Sequence, residues 1–371
     1  MKKIITLVIC AALFCAVLGG CAGKSGNSRS NEYTKHSTLL QNDEDLFNTV
    51  ISVVAYTKTD EEFNEMVRYI NQRYTRLNEM YSIYDDFEGV NNIKTINDNA
   101  GKQPVKVSRE IIDLLKFSKQ RYEISGGKMN VAMGAVLKQW HDFREEFAID
   151  ETTPLPNINA LRRASAHTDI DCVEIDEENM TVFITDENVS LDVGAVAKGF
   201  ATEIVCDELS EKYDNFLISA GGNVKSHGHP MDGRTRWGVS IQNPAVDENY
   251  KMIGGSMDVA YVGGDVSVVC SGGYQRYVVV DGKRYHHIID PTTLYPEEVY
   301  QGVSIICEDS GMADALSTTV FLSRPRDALA LVESMDGVEC ILVETDGTLH
   351  YSSGAAKYLL SQGVSANTPV E

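Results

Sequence analysis

The segment Leu191–Ala201 combines small residues with an aspartate and a lysine, a combination that suits an anionic ligand. Its composition predicts that a helix begins within the segment, where free backbone amides attract anions. Asp192 and Lys198 flank the predicted turn, and Lys198 supplies a local cation for a phosphate group. The glycine spacing fits neither a Walker loop nor a dinucleotide fingerprint. A tightly packed helix start with a solvated lysine is the alternative interpretation.

The segment Tyr285–Pro291 contains two adjacent histidines, His286 and His287. Neighbouring side chains of a strand point to opposite faces, so only one of the two can face a site. A histidine at that place could act as a base or contact a phosphate. A purely structural strand end is the alternative.

The segment Met312–Thr319 contains a possible metal site. Asp314 and Thr318 are four residues apart, so they share one face of the helix that is predicted here. A carboxylate, a hydroxyl and a backbone carbonyl are hard oxygen ligands that magnesium takes together with the phosphates of a substrate. An ordinary packed helix start is the alternative.

The composition excludes some classes of function. The chain has 371 residues and a formal net charge of -21, and it shows no basic stripe that could meet a nucleic acid backbone. It contains no C-x-x-C pair, which argues against a zinc site and against a redox dithiol. An anionic small ligand stays compatible with this composition only where a local cation compensates for the acidity.

The N-terminus predicts export. Lys2 and Lys3 precede an apolar stretch, Ile4–Leu18, and Gly19 and Gly20 then lead into Cys21. This order is typical of a bacterial lipoprotein signal peptide over residues 1–20, with Cys21 lipidated as the first mature residue. An ordinary secretory signal is the alternative. Residues 21–40 are predicted to be a flexible tether, and the protein is expected at the extracytoplasmic face of the bacterial cell membrane.

The elements that must position these segments mix helices and strands without a regular βαβ alternation, which predicts an α+β fold. The tract 144–160 is acidic and interrupted by proline, and it is interpreted as a surface excursion. Apolar periodicity predicts helices over residues 61–81, 109–124, 311–321 and 325–335. Strands are predicted over residues 49–56, 172–175, 181–184, 215–219, 237–242, 258–262, 267–270, 277–280, 303–308 and 339–345.

Taken in order, these segments resemble the ApbE-type FAD:protein FMN transferase family over about residues 47–358. The resemblance rests on Leu191–Ala201, Gly221-Gly222-Asn223, Ser271–Tyr274, His287–Pro291 and Ala313–Thr318. It implies an α+β architecture related to the T-fold, with mixed or antiparallel sheets, packed helices and an FAD cleft between subdomains. The transferase domain is expected over residues 41–362, followed by a C-terminal tail at 363–371.

The resemblance also implies an activity. Family members transfer FMN from FAD to a threonine of a target flavoprotein through a phosphoester bond, with magnesium, and release AMP. Their partners are FMN-binding domains of extracytoplasmic or membrane redox proteins. Two alternatives stay open: a pyrophosphatase that converts FAD to FMN and AMP, and a non-catalytic lipoprotein that binds FAD.

The site residues are implied by their motif positions. The metal ligands are expected to be the carbonyl of Ala195 and the side chains of Asp314 and Thr318, and His287, Asp314 and Lys198 are expected to be catalytic. The FAD contacts are expected to be Phe47, Tyr81, Lys128, Met129, Asn130, Asp192, Lys198 and Ile289.

The chain departs from the family pattern at several positions. Met129-Asn130 stands where the family has Phe-Asp, Leu294 stands in place of a glycine, and Cys270 stands in place of a threonine. At the N-terminal motif, Phe47-Asn48-Thr49 replaces Met-Gly-Thr or Phe-Asp-Thr. These changes leave the implied metal and lysine positions intact but put the affinity for flavin in question.

Overall fold

The computed structural model describes residues 32–40, 46–247 and 252–370. The predicted signal peptide and the predicted lipidation site at Cys21 lie outside the described residues. Within those three ranges, no helix combines the length and the apolar character that crossing a membrane requires.

The helices begin where local residues satisfy the free backbone amides of a first turn. The hydroxyl of Thr59 accepts from the amide of Glu62, so the first helix begins at Asp60. Gly126 and Gly127, both with positive φ, end the third helix, as the sequence predicted. The helices are α1 (Asp60–Tyr81), α2 (Ile93–Asp98), α3 (Arg109–Ile124), α4 (Gly134–Phe147), α5 (Ile158–Ser165), α6 (Ala197–Ser210), α7 (Ser310–Phe321) and α8 (Pro325–Glu333).

The strands pair antiparallel throughout the named sheets, which confirms the α+β class. They are β1 (Thr34–Leu39), β2 (Ile51–Thr57), β3 (Val105–Lys106), β4 (Val173–Asp176), β5 (Thr181–Ile184), β6 (Phe216–Ala220), β7 (Asn223–His227), β8 (Trp237–Gln242), β9 (Ser256–Val262), β10 (Val266–Gly272), β11 (Tyr277–Val280), β12 (Lys283–His286), β13 (Tyr300–Cys307), β14 (Glu339–Glu344) and β15 (Leu349–Tyr351). Among the described residues, eight strands form the main sheet in the order β1-β2-β6-β7-β10-β13-β14-β15.

Both faces of the main sheet are buried, because successive side chains of its strands enter different cores. In β13, Val303 and Ile305 pack with α7 and α8, whereas Ile306 packs against the β8–β9 hairpin. In β6, Phe216 and Ile218 pack with α1 and α6 on the helical face. A separate core joins α4 and α5 to the region that follows β12.

Helices α6 and α7 approach each other unusually closely at Gly199. A Cβ atom at this position would lie 2.3 Å from the carbonyl oxygen of Ser310 and 2.5 Å from the Cβ of Asp314. Only glycine therefore fits without a shift of one helix. The contact places the first turn of α6 directly against the face of α7 that carries Asp314.

A buried ion pair holds the same two helices to the sheet. Lys225 of β7 is 2% exposed, and its Nζ lies 2.8 Å from the Oε1 of Glu203 on α6. The Oε2 of Glu203 accepts from the backbone amide of Ser310, at 2.6 Å, where α7 begins. Burial opposes the charge of Lys225, but the charge and hydrogen bond of Glu203 outweigh it and raise the pKa of the lysine.

Two predictions about the edges of the domain are wrong. The tether does not extend to residue 40, because Thr34–Leu39 forms β1 and pairs with residues 52–57 of β2. The C-terminal residues up to 370 are not a separate tail, because Arg236 donates to the carbonyl oxygens of Thr368 and Pro369. The tract 144–160 lies at the surface, as predicted, and its two ends belong to α4 and α5.

The Gly199→Ala variant should lower the free energy of unfolding by about 1–3 kcal/mol, the usual cost of forcing a methyl group into a packed contact. Gly311→Ala in α7 is the matched control, because its nearest contacts would be 3.2–3.4 Å and require the neighbouring atoms to move by only a few tenths of an ångström. Urea unfolding of both variants measures the difference. Equal stability of the two would contradict the close-contact interpretation.

Candidate functional site

The carboxylate of Asp314 is the centre of the candidate active site. Asp314 is 3% exposed, and its Oδ2 accepts a hydrogen bond of 2.8 Å from the backbone amide of Gly199. This amide belongs to the first turn of α6, whose N-cap residue Val196 offers no side-chain acceptor. Asp314 therefore caps a helix that lies more than a hundred residues earlier in the chain. The Nζ of Lys198 lies 3.5 Å from each oxygen of the same carboxylate.

The oxygen ligands predicted for a metal converge only in part on this point. Thr318 follows Asp314 by one turn of α7 and is half-buried, and Ala195 precedes the first turn of α6. Within the described ranges, no cluster of three or more His, Cys, Asp or Glu side chains could hold a metal ion. One carboxylate, one hydroxyl and one carbonyl fit a magnesium ion that a substrate's phosphates help to bind, because magnesium keeps few protein ligands.

The two adjacent histidines lie in different surroundings. The ring of His286 is buried, and its Nε2 lies 2.6 Å from the carbonyl oxygen of Glu297. His287 is half-buried, and its Nδ1 meets no hydrogen-bond partner among the described residues. Burial, with the charge of Arg276 second, lowers the pKa of His287 well below its usual value. The imidazole is therefore neutral at physiological pH.

Asp192 lies beside the start of α4. Its Oδ1 accepts from the backbone amide of Gly194 at 2.8 Å, and its own amide donates to the carbonyl of Val131 at 2.7 Å. Burial raises the pKa of Asp192, although the Gly194 amide opposes the shift. The positive charges of Arg276 and Arg144 also oppose the shift.

An aromatic wall adjoins Lys198. Phe47 has a left-handed backbone, with φ of 53°, and its amide donates to the Oδ1 of Asn78. Its ring lies 6.4 Å from that of Tyr81, and Tyr81 in turn lies 6.5 Å from Phe200. Tyr81 itself is 4% exposed. The structure therefore brings Phe47 and Tyr81 together next to the start of α6, as the motif positions implied.

The segment Lys128–Asn130 is held by its own internal contacts. The Nζ of Lys128 donates to the carbonyl of Leu322 at 2.8 Å, at the end of α7, so its charge faces that helix terminus. Met129 is buried. The side-chain Nδ2 of Asn130 donates to the carbonyl of Thr168, which a carboxylate could not do. The asparagine that replaces the family's aspartate at position 130 therefore makes a local hydrogen bond of its own.

The departure at Leu294 occupies a strained backbone position. Leu294 has φ of 62°, in the region that favours glycine, and its side chain is 5% exposed. Its carbonyl accepts from the Nε1 of Trp140 at 2.9 Å, and Ile289 belongs to the same apolar cluster. Burial of the leucine side chain offsets the backbone strain. Ile289 is therefore close to α4 and is part of a packed core.

The sequence did not single out Arg144, and it did not predict the close helix contact at Gly199. A helical signal for α4 was present, because Val136, Trp140 and Phe143 recur at the spacing of one helix face. Nothing local signals the contact of Gly199, because its partner Asp314 is distant in sequence.

The chain is similar to known proteins both in sequence and in fold. The model of the ApbE family matches residues 47–342. An FAD:protein FMN transferase of Treponema pallidum is 29% identical over 94% of this chain and 93% of that protein. A second one, of Klebsiella pneumoniae, is 29% identical over 75% of this chain and 84% of its own length. The crystal structure of the ApbE protein of Thermotoga maritima has a TM-score of 0.71 and 27% identity, covering 86% of this chain and 97% of that one.

The stability of the protein should depend on pH through His286. Burial lowers its pKa from 6.5 to about 4. Between these values the unfolded chain binds the proton that the folded chain excludes, so stability falls as the pH decreases from about 6.5 to about 4. The contribution is on the order of 3 kcal/mol, at about 1.4 kcal/mol for each unit of pKa.

The measurement is urea unfolding at pH 7, 5.5 and 4.5. His286→Gln should show a shallower dependence on pH than the wild type, whereas the control His229→Gln, at an exposed histidine, should keep the wild-type slope. An unchanged slope in His286→Gln would show that this histidine is not the titrating group.

Proposed function

Because the chain belongs to the ApbE family, we propose that it is an FAD:protein FMN transferase that moves FMN from FAD to a threonine hydroxyl of a target flavoprotein and releases AMP. The observation that carries the proposal is the arrangement at the start of α6. There the carboxylate of Asp314 accepts from the amide of Gly199 in the first turn of a helix, and the Nζ of Lys198 lies 3.5 Å from the same carboxylate. This arrangement suits a pyrophosphate, which needs positive charge and hydrogen-bond donors.

The proposed step is a displacement at phosphorus. The hydroxyl oxygen of the acceptor forms a bond to the phosphorus of the FMN half of FAD, and the bridging P–O bond breaks. The electron pair of that bond leaves with AMP. The hydroxyl proton passes to a base, and the unpartnered Nδ1 of His287 is suited to receive it because the ring is neutral.

The other residues stabilise charge and orientation. Lys198 faces the negative charge that accumulates on the phosphoryl oxygens. Asp314, Thr318 and the carbonyl of Ala195 would hold magnesium, which neutralises the pyrophosphate and stabilises the leaving phosphate. Phe47 and Tyr81 would contact the flavin end of the substrate. The burial of Asp314 keeps its carboxylate fixed against α6.

The proposed partners are FMN-binding domains of membrane redox proteins that face the extracytoplasmic side. The support is the predicted lipoprotein signal, since an enzyme anchored through Cys21 would meet acceptors at that surface. The net charge of -21 leaves the lipid as the principal attachment, because acidic proteins are not attracted to anionic lipid headgroups.

The test is to incubate the full chain, purified in detergent, with FAD, magnesium and a candidate acceptor domain. A covalently fluorescent acceptor band in a denaturing gel, together with AMP release, is expected, and chelation of magnesium should abolish both. Release of AMP and FMN without labelling would identify a pyrophosphatase. Binding of FAD with neither product would identify a non-catalytic binder.

Lys198→Ala should weaken FAD binding and slow transfer. A buried lysine–phosphate contact contributes about 1.5–3 kcal/mol, which corresponds to roughly a tenfold to hundredfold change. Calorimetry and the rate of flavin incorporation measure the two effects. Lys212→Ala, at an exposed lysine after α6, is the control and should match the wild type. If Lys198→Ala also matches the wild type, Lys198 is a solvated surface residue.

Cys21→Ala should release the protein from the membrane fraction and leave the activity of the purified protein intact. The reason is that lipidation of this cysteine is the only anchor that the sequence predicts. Fractionation after a detergent-free wash measures the release. A variant that stays in the membrane fraction would contradict the lipid anchor.

A further inference from the structure

Helix α4 is fixed to both segments that carry candidate site residues. At its start, the amide of Gly134 donates to the carbonyl of Ser190 at 2.8 Å. A Cβ at Gly134 would lie 2.5 Å from that oxygen, so the contact is as tight as a backbone permits. Asp192, two residues further along, is bonded to Val131 in the same way. These two hydrogen bonds fix the start of α4 beside Asp192.

The middle of α4 is attached to the other segment. The indole of Trp140 is fully buried, and its Nε1 donates to the carbonyl of Leu294. Its ring stacks on that of Tyr285, with centroids 5.9 Å apart. Tyr285 and His286 are the last two residues of β12, and His287 follows them, so α4 spans the distance between Asp192 and the end of this strand.

Arg144 lies close enough to Arg276, Tyr84 and Asp192 to interact with them electrostatically. It follows Trp140 by one turn and His141 by three residues, and the ring centroids of His141 and Tyr84 are 5.1 Å apart. Arg144 is half-buried, but its Nη1 atom is buried and has no hydrogen-bond partner among the described residues. No described carboxylate lies within ion-pair distance of it. A buried guanidinium nitrogen without an acceptor is costly and indicates that an acceptor is missing.

The surrounding charges favour an anion. Burial lowers the pKa of Arg144, and the charge of Arg276 lowers it further. The same two arginines act on His287, and Lys198 acts on it from the side of α6. Asp192 is a nearby carboxylate, and burial raises its pKa, which weakens it as a counter-ion. Positive charge is thus concentrated here, although the chain as a whole is strongly acidic.

We infer that Arg144 is a phosphate-binding residue, and that α4 completes the pyrophosphate site opposite Lys198. The inference rests on the proposed function, because it assigns a further contact to the same substrate. The planar guanidinium of Arg144 can donate to two phosphate oxygens at once, which a lysine cannot do with the same geometry. The ligand class is a diphosphate, held between α6 on one side and α4 on the other.

The test compares two probes that share only the phosphates. The affinity for FAD is measured by flavin fluorescence, and inorganic pyrophosphate is then used as a competitor, with the full chain in detergent. Arg144→Gln should weaken both FAD and pyrophosphate by about tenfold or more. Arg162→Gln, at an exposed arginine of α5, is the matched control and should change neither.

Arg144→Lys keeps the charge and guards against misfolding of the glutamine variant. It should fold with an unchanged melting temperature and retain part of the affinity for both probes, because a point charge replaces the planar guanidinium. Affinity at the wild-type level in both Arg144 variants would overturn the inference. So would a loss for FAD with no loss for pyrophosphate, since Arg144 would then shape only the flavin pocket.

Two other outcomes are also decisive. An unchanged FAD affinity with a raised KM for the acceptor domain would assign Arg144 to the acceptor and overturn the inference. Failure of pyrophosphate to compete with FAD on the wild type would overturn it as well, because an anion site must hold the anion alone. If the wild type does not bind FAD at all, the proposed function itself fails, which distinguishes the two.

Discussion

The contact between α6 and α7 at Gly199 is the constraint on which the candidate site depends. Without a side chain at this position, the carboxylate of Asp314 reaches a free amide of the first turn of α6. The interaction satisfies a helix donor and at the same time places a carboxylate beside Lys198. The buried pair of Lys225 and Glu203 holds the beginning of α7 to α6, so the two helices cannot slide without breaking it. Fold stability and site geometry are therefore served by the same contacts.

Positive charges are concentrated around His287, although the chain as a whole is strongly acidic. A chain with a net charge of -21 repels a pyrophosphate at long range, so binding requires a local excess of positive charge. Lys198, Arg276 and Arg144 all act electrostatically on His287. Their combined charge, together with burial, keeps this imidazole neutral, which is the state that can accept a proton. The same cluster of cations would attract the proposed diphosphate and also helps to keep the candidate base neutral.

The departures from the family pattern are compensated locally. Asn130 replaces an aspartate, and its amide donates to a backbone carbonyl that a carboxylate would repel. Leu294 replaces a glycine at a positive φ, and its buried side chain packs in the core beneath α4. Its carbonyl also anchors Trp140, so the substituted loop positions the helix that carries Arg144. These substitutions change the hydrogen bonds and packing around the site, and they leave the proposed metal ligands and Lys198 in place.

The sequence by itself determined the helices and strands with strong periodicity and the identity of the site segments. Helices α1, α3 and α7 were predicted nearly to their ends, because apolar spacing and glycine stops are local properties. Asp314 and Thr318 shared a predicted face for the same reason. Tertiary structure alone decided that Asp314 caps α6, since Asp314 and the Gly199 amide that it accepts from are 115 positions apart. It also decided that His286 is buried, that residues 34–39 join the sheet as β1, and that the Nη1 of Arg144 is buried without a hydrogen-bond partner among the described residues. These outcomes depend on the packing of distant elements, and no local pattern encodes them.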